Sequence, residues 1–349
     1  MSGRRGIGMQ LLRERLVRLV SVWGLLVLLV VLIVAFSLLK PDTFPTYFNF
    51  RSIANNKSIG ALLALAVFIP MTANHFDLSV GFLLGIAQIL AIGLQGQGLA
   101  WPAAAAIVLL LGAAVGLANG LLVTVVGIDS FIATLGTGTL LYGFSEWYTN
   151  GQQVVATLPP SFMALSGSLL WIPAPALYVL AVSLALWVAF EFLPVGRFLY
   201  VLGDSKRAAE LNGISARRYV TLAFLAAGIL SAFAGIVLQS QLMVGQSSVG
   251  PEYLLPAFTG ALLGATSVRP GRVNVWGTIL AVAVLAVTVA GLNQLGAPFF
   301  VEPIFDGTML ILAVGLAVGA ARRRTRLGTD AEAALAAPAA ATQAQEPAP

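Results

Sequence analysis

Residues able to do chemistry are few in this chain, and their spacing assembles no familiar catalytic set. There are no cysteines, and His75 is the one histidine. Disulfides, Cys-ligated zinc, iron–sulfur clusters and His-based metal sites are therefore excluded. Lys57-Ser58 lacks the preceding glycines of a GxxxxGK[ST] phosphate loop, and no H-E-x-x-H run occurs. A single histidine cannot supply a general base to a Ser–His–Asp grouping and also a metal ligand elsewhere. No two carboxylates share a close helical spacing within an apolar run, which gives a proton relay little support. Glu146 adjoins Trp147 and Tyr148, while Glu191 and Asp306 sit near the ends of apolar runs; all three read as groups at a membrane–water interface. Asp77, in NHFDLSVG (74–81), is the most informative acidic residue. It reads as an N-cap for a helix starting at Leu78, where the helix dipole favours a negative charge. A compatible second reading is a broken helix whose end faces a solute path.

The elements that position these groups are hydrophobic. Apolar residues make up 58% of the sequence and charged residues only 9%, against about 25% charged in an ordinary soluble domain. The apolar residues form runs long enough for membrane helices, without the period-two alternation of a membrane β-barrel. The pattern predicts an all-α bundle of about ten membrane segments, some of them short or broken. They lie near 20–39, 58–73, 78–94, 101–126, 130–149, 174–193, 219–241, 253–267, 274–293 and 303–320. The first run has no small-x-small cleavage site after it and reads as a membrane helix rather than a signal peptide.

Charge placement tests that count. With the N-terminus inside and strict alternation, every Lys and Arg except Lys40, Arg51 and Lys57 falls on the cytoplasmic side, as the positive-inside bias requires. Both termini are then cytoplasmic, and the sequence pI near 9.8 reflects topology rather than nucleic-acid binding. The expected organisation is a basic segment over 1–19, a membrane domain over 20–321 and a disordered Ala/Pro-rich tail over 322–349. Gly112, Gly116 and Gly120 recur every fourth residue, and Gly228 and Gly235 mark another run; small residues so spaced let helices approach closely. Asn119, Thr134, Asn293 and Gln294 are polar residues in apolar surroundings. Each suits a solute path or a helix–helix hydrogen bond.

The longest charged connection, PVGRFLYVLGDSKRAAELNGISARR (194–218), predicts a short cytoplasmic helix. Asp204 or Ser205 would cap it, good helix formers run from Lys206 to Leu211, and Asn212-Gly213 would stop it. Read from composition alone, the segment is equally an ordinary basic loop.

Four blocks resemble the ribose-type permeases of bacterial ATP-binding-cassette importers, which are related to branched-chain amino-acid permeases. GRFLYVLGDSKRAAELNGIS is similar to their cytoplasmic coupling segment, FDLSVG (76–81) to their DLSVG block, and SFIATLGTGTLLYG (130–143) to their F-I-x-T-L-G-T block. GALLGATSVRPGRVNVWGTILA (260–281) resembles their L-G-G-T-S and G-T segment, although Ala265 replaces a glycine and Arg269-Pro270 changes the turn. The resemblance spans roughly residues 50 to 320. It implies a non-enzymatic transport subunit of the bacterial cytoplasmic membrane that carries a monosaccharide or similar small polar solute. It also implies three partners: a cassette ATPase that binds ATP and magnesium, an extracytoplasmic solute-binding protein, and a second copy or homologous permease. No cofactor is expected on this chain. Gly203, Asp204, Ala208, Ala209, Glu210, Gly213 and Ile214 are the implied ATPase-coupling residues. Asp77, Ser79, Asn119, Phe131, Thr134 and Asn293 are the candidates for the path. A gradient-driven carrier or channel, or an amino-acid permease of the same class, remains the alternative.

Overall fold

A computed structural model describes residues 22–316. The basic 1–19 segment and the 322–349 tail lie outside the described residues. Helices account for nearly all the regular structure. They are α1 (Val22–Leu39), α2 (Tyr47–Met71), α3 (Ser79–Gly96), α4 (Trp101–Leu121) and α5 (Ser130–Thr149). A π-helical turn (Leu122–Val126) extends α4. A short α6 (Pro160–Met163) and a two-residue hairpin (Ser168–Leu169 with Ile172–Pro173) precede α7 (Ala174–Glu191). Then come α8 (Pro194–Asp204), α9 (Lys206–Leu211), α10 (Ala216–Leu242), α11 (Val249–Glu252), α12 (Leu254–Gly264) and α13 (Val275–Gln294). A last helix, α14, occupies 301–316.

Among the described residues, seven helices are long and apolar enough to cross a membrane: α1, α2, α3, α4 with its π-turn, α7, α10 and α13. The other predicted segments fall on α5, on the eleven-residue α12 and on α14. The second segment differs from expectation. Its helix starts at Tyr47, ahead of the apolar run, because Thr46 caps it by accepting from the Asn49 N–H. The polar RSIANNK stretch is thus helical although it is not hydrophobic. A hydropathy reading locates the membrane core and misses such extensions.

Helices α2, α3 and α10 are buried over most of their length and form the centre, while α1, α4 and α7 expose wide apolar faces. The inward side of α4 is its glycine row. A Cβ on Gly116 would meet the Phe224 carbonyl, one on Gly112 the Gly228 carbonyl at 2.6 Å, and one on Gly120 the Thr221 Cα at 2.7 Å. The spacing read in the sequence is therefore the α4–α10 seam, where backbone meets backbone.

The two ends of the bundle are held by different contacts. At one end, Arg272 on the α12–α13 connection pairs with Asp204 at the end of α8, Arg269 pairs with Glu191 of α7, and Ser267 Oγ donates to the Val22 carbonyl. At the other, Lys57 of α2 pairs with Glu302 of α14 at 2.8 Å, Arg51 Nη2 donates to Ser168 Oγ at 2.6 Å, and Gln294 Nε2 donates to Asn49 Oδ1 at 2.7 Å.

Candidate functional site

The α2–α3 connection, residues 72–78, joins two groups of residues singled out in the sequence. Helix α2 ends after Pro70, and Asn74 adopts a left-handed conformation (φ 60°) that turns the chain back into the bundle. Asp77 then precedes α3. Its Oδ1 accepts from the Ser79 N–H at 3.0 Å and from Ser79 Oγ at 2.6 Å. The predicted capping role is met: Leu78 already has helical dihedrals, so Asp77 immediately precedes the first helical residue and accepts from the second N–H. Asn119 of α4 donates from Nδ2 to Ser79 Oγ at 2.8 Å. On the other flank, Thr134 Oγ1 of α5 accepts from the Leu78 N–H at 3.0 Å and donates to the Ser130 carbonyl at 2.7 Å. Asp77, Ser79, Asn119 and Thr134 are all essentially inaccessible. Four of the six candidate path residues thus form one buried polar cluster between α3, α4 and α5. Phe131 lies one turn away on α5 with half its surface exposed, and Asn293 is exposed at the far end of α13.

Burial dominates the electrostatics of this cluster. It raises the Asp77 carboxyl from its ordinary range to about 6, against the two hydrogen bonds from Ser79. Desolvating an ionised carboxylate costs several kcal/mol, while a charged hydrogen bond returns about 1.5–3 kcal/mol and a helix terminus about 1. Asp77 Oδ2 and Asn119 Oδ1 are both buried without a hydrogen-bond donor. Nearby, burial and then the Lys206 charge lower the His75 imidazole, while Asp129 pulls it the other way.

The second group sits on α8 and α9. The predicted short helix is α9, and Ser205 caps it by accepting from the Ala208 N–H at 3.3 Å. Asp204 is instead the last residue of α8, a helix not anticipated in the sequence. Burial at every third residue explains α8: Gly196, Leu199 and Leu202 face inward, while Val195, Arg197, Val201 and Asp204 are exposed. Gly213 ends α9 with φ 78°, which only a glycine adopts without strain. Ala209 is fully buried in the core cluster with Leu199, Leu202, Ala216 and Ala73. The outward face of α9 therefore consists of Lys206, Arg207, Ala208, Glu210 and Leu211, the last 81% exposed. Ile214 packs partly against the core. Gly203 presses on α2: a Cβ there would meet the Thr72 carbonyl and lie 3.3 Å from the Ala73 Cα. Gly203, Asp204, Thr72, His75, Phe76, Tyr200 and Arg272 border a cavity of about 210 Å³. The Tyr200 hydroxyl donates to the Val273 carbonyl at 3.0 Å, and burial pushes its acidity out to about 12.

A third polar cluster escaped sequence reasoning. Gln88 Nε2 of α3 donates to the Gln246 carbonyl, and the Gln239 amide of α10 donates to Gln88 Oε1 at 2.7 Å. Both glutamines are fully buried. A polar residue inside each apolar run was the available signal. Among the described residues no group of three or more His, Asp or Glu could hold a metal ion.

Residues 49–314 match the family model described as the permease component of the branched-chain amino acid transport system. The chain belongs to this family. Several of its relatives are permease subunits of transport systems by name. The ribose import permease protein of Escherichia coli K12 is 31% identical over 293 residues, covering 83% of this chain and 91% of that protein. The ribose import permease protein of Bacillus subtilis 168 is 32% identical over 288 residues, covering 82% and 89%. The D-allose transport system permease protein of Escherichia coli K12 is 27% identical over 296 residues, covering 84% and 90%. No solved structure matches the chain. The family match and the four resembling sequence blocks cover nearly the same stretch. The coupling-like block meets the α2–α3 connection at the Thr72–Ala73 backbone through Gly203, ahead of the DLSVG-like block at 76–81.

Proposed function

We propose that this permease subunit forms the translocation path of an ATP-driven importer for a monosaccharide or similar small hydroxylated solute. The observation that carries the reading is the contact between α8 and the α2–α3 connection. A displacement of α8–α9 cannot leave the Asp77 cluster unmoved, because Gly203 lies against the backbone that leads into it. The chain has no phosphate-binding loop, so the work of moving α9 is assigned to a partner ATPase. The ribose and allose permeases among its relatives support a sugar over an amino acid. In this reading about ten segments cross a cytoplasmic membrane with both termini inside, over the 20–321 domain. The partners are a cassette ATPase, an extracytoplasmic binding protein and a second permease copy or homologue.

The ATPase contact falls to the outward face of α9. Leu211 is its apolar centre, an exposed anchor of the kind that interface cores bury. Ala209, Gly213 and Ile214 act from below by holding the helix in place. The test is uphill uptake of a labelled pentose or hexose by vesicles containing the permease, its ATPase and its binding protein. Accumulation is expected only with all three and ATP. Leu211→Asp is expected to weaken ATPase co-purification tenfold or more, about 1.4 kcal/mol, while the permease still inserts. Uphill uptake without the ATPase would refute the reading and favour a gradient-driven carrier.

A further inference from the structure

We propose that Asp77 is a proton-binding site of the packed α2–α3 connection, neutral while its carboxyl is shut from water and ionised when the connection opens. The argument starts from a count of donors. In the chain Asn119 to Ser79 to Asp77, Asn119 Nδ2 donates to Ser79 Oγ at 2.8 Å, and Ser79 spends both its hydroxyl and its backbone N–H on Asp77 Oδ1. Two acceptors remain, Asp77 Oδ2 and Asn119 Oδ1, each buried and without a donor. Buried acceptors left unmatched are rare in native proteins. The cluster as a whole therefore lacks a hydrogen, and a proton on Oδ2 supplies one by turning an acceptor into a donor.

Among the described residues no cation pairs with Asp77. Helices α3, α4 and α12 carry no charged residue. On the elements packed against α3 and the connection, the titratable and charged groups are Arg51 and Lys57 on α2, His75 on the connection itself, Asp129 before α5, Tyr142, Glu146 and Tyr148 on α5, Arg197, Tyr200 and Asp204 on α8, Lys206 on α9, Arg217, Arg218 and Tyr219 on α10, Glu252 and Tyr253 at α11, and Arg272 beside the same cavity as His75. Among the described residues the ion pairs join Lys57 to Glu302, Arg269 to Glu191 and Arg272 to Asp204, and none reaches Asp77. Two unmatched oxygens are also too few for a hard cation, which takes about six oxygen ligands.

The proton comes from water and returns to it. When α8 lifts from the 72–73 backbone, water reaches Asp77, and the acid releases a proton as its carboxylate becomes solvated. Repacking takes a proton up again. Acid therefore favours the packed form and base the opened one. The sign follows from linkage: the packed form binds more protons, so its stability falls as pH rises through the raised acidity constant, near 6. His75 has the opposite sign, since burial lowers it, so the two groups are separated only by substitution.

The experiment is infrared difference spectroscopy of the purified full-length permease in lipid nanodiscs, titrated in pH, for wild type, Asp77→Asn and Ser79→Ala. A protonated-carboxyl C=O band that fades as pH rises and is missing from Asp77→Asn is expected. Ser79→Ala removes a hydroxyl that favours the anion, so the midpoint of that band should move to higher pH. Wild-type and Asp77→Asn spectra that coincide, or a midpoint unmoved in Ser79→Ala, overturn the proposal. These readouts do not depend on the import reading; the transport arm does rest on it. There, Asp77→Asn holds the site in its neutral form at every pH, so any change of uptake with pH that follows the carboxyl band in wild type should be lost in the variant. A pH profile of uptake that is the same in wild type and Asp77→Asn would overturn the proton-binding site while leaving the importer reading intact.

Discussion

At the scale of the residue, Asn119 separates a polar cluster that wants one more proton from one that wants one more charge. Its side chain donates to Ser79 Oγ, and its own oxygen has no donor. Asn119→Leu gives up one hydrogen bond and also removes one unmatched acceptor, so it should cost about 1 kcal/mol or less. Asn119→Asp brings a second carboxyl to a site where Asp77 already lacks compensation. It should cost about 2–4 kcal/mol at neutral pH and recover part of that in acid, as one of two neighbouring carboxyls protonates. Unfolding of the detergent-solubilised permease at several pH values measures both. Equal costs, or an Asn119→Asp deficit that deepens in acid, would contradict the account. Polar character within apolar surroundings marked Asp77, Asn119 and Thr134, because such groups demand partners, and Ser79 came with the DLSVG-like block. It did not reveal that they partner one another. Positions 40 and 56 residues apart meet through tertiary packing, which local spacing does not encode. Asn293 carries the same signal in the sequence, yet it lies exposed at the end of α13.

At the scale of the element, the α4–α10 seam is the part of the fold most legible in advance. Gly112, Gly116 and Gly120 fall on one face of α4, and each meets α10 backbone or the base of its side chains. Gly116→Val forces a branched side chain into the Phe224 carbonyl and the Leu225 Cα, and overpacking of this kind costs about 1–3 kcal/mol. Gly136→Ala on α5 has nothing within 4 Å of the added carbon and should be silent or slightly stabilising, since alanine is the better helix former. Denaturation by graded SDS separates the two; a silent Gly116→Val would mean that α4 and α10 move apart freely. The elements that sequence missed have a common cause. Helix α8 lies in a connection rather than a span, and its apolar positions are too few to register as a run, although Leu199 and Leu202 are buried. The start of α2 is helical through capping by Thr46 and through amide bonds such as Gln294 to Asn49, neither of which changes hydropathy.

At the scale of the molecule, the question is whether docking at α9 and opening at Asp77 are one event or two. Gly203 decides it, because it is where α8 meets the backbone that leads to the Asp77 cluster. Its Cα packs on the Thr72–Ala73 backbone, and any side chain would push α8 away from α2. Arg272, which pairs with Asp204 in the next position, would hold the end of α8 at the bundle from the other side. Gly203→Val should therefore wedge this joint while leaving the outward face of α9 untouched, since Arg207, Ala208, Glu210 and Leu211 lie beyond the Ser205 cap. The expected variant still co-purifies with its ATPase and still supports ATP hydrolysis, but uptake falls tenfold or more, equivalent to about 1.4 kcal/mol of lost coupling between two states. Leu211→Asp has the reverse signature, with lost association and a joint left intact. If Gly203→Val instead lost ATPase and uptake together, the α8 contact would be part of the docking surface, and the transmitted motion would have to reach the Asp77 cluster through α10.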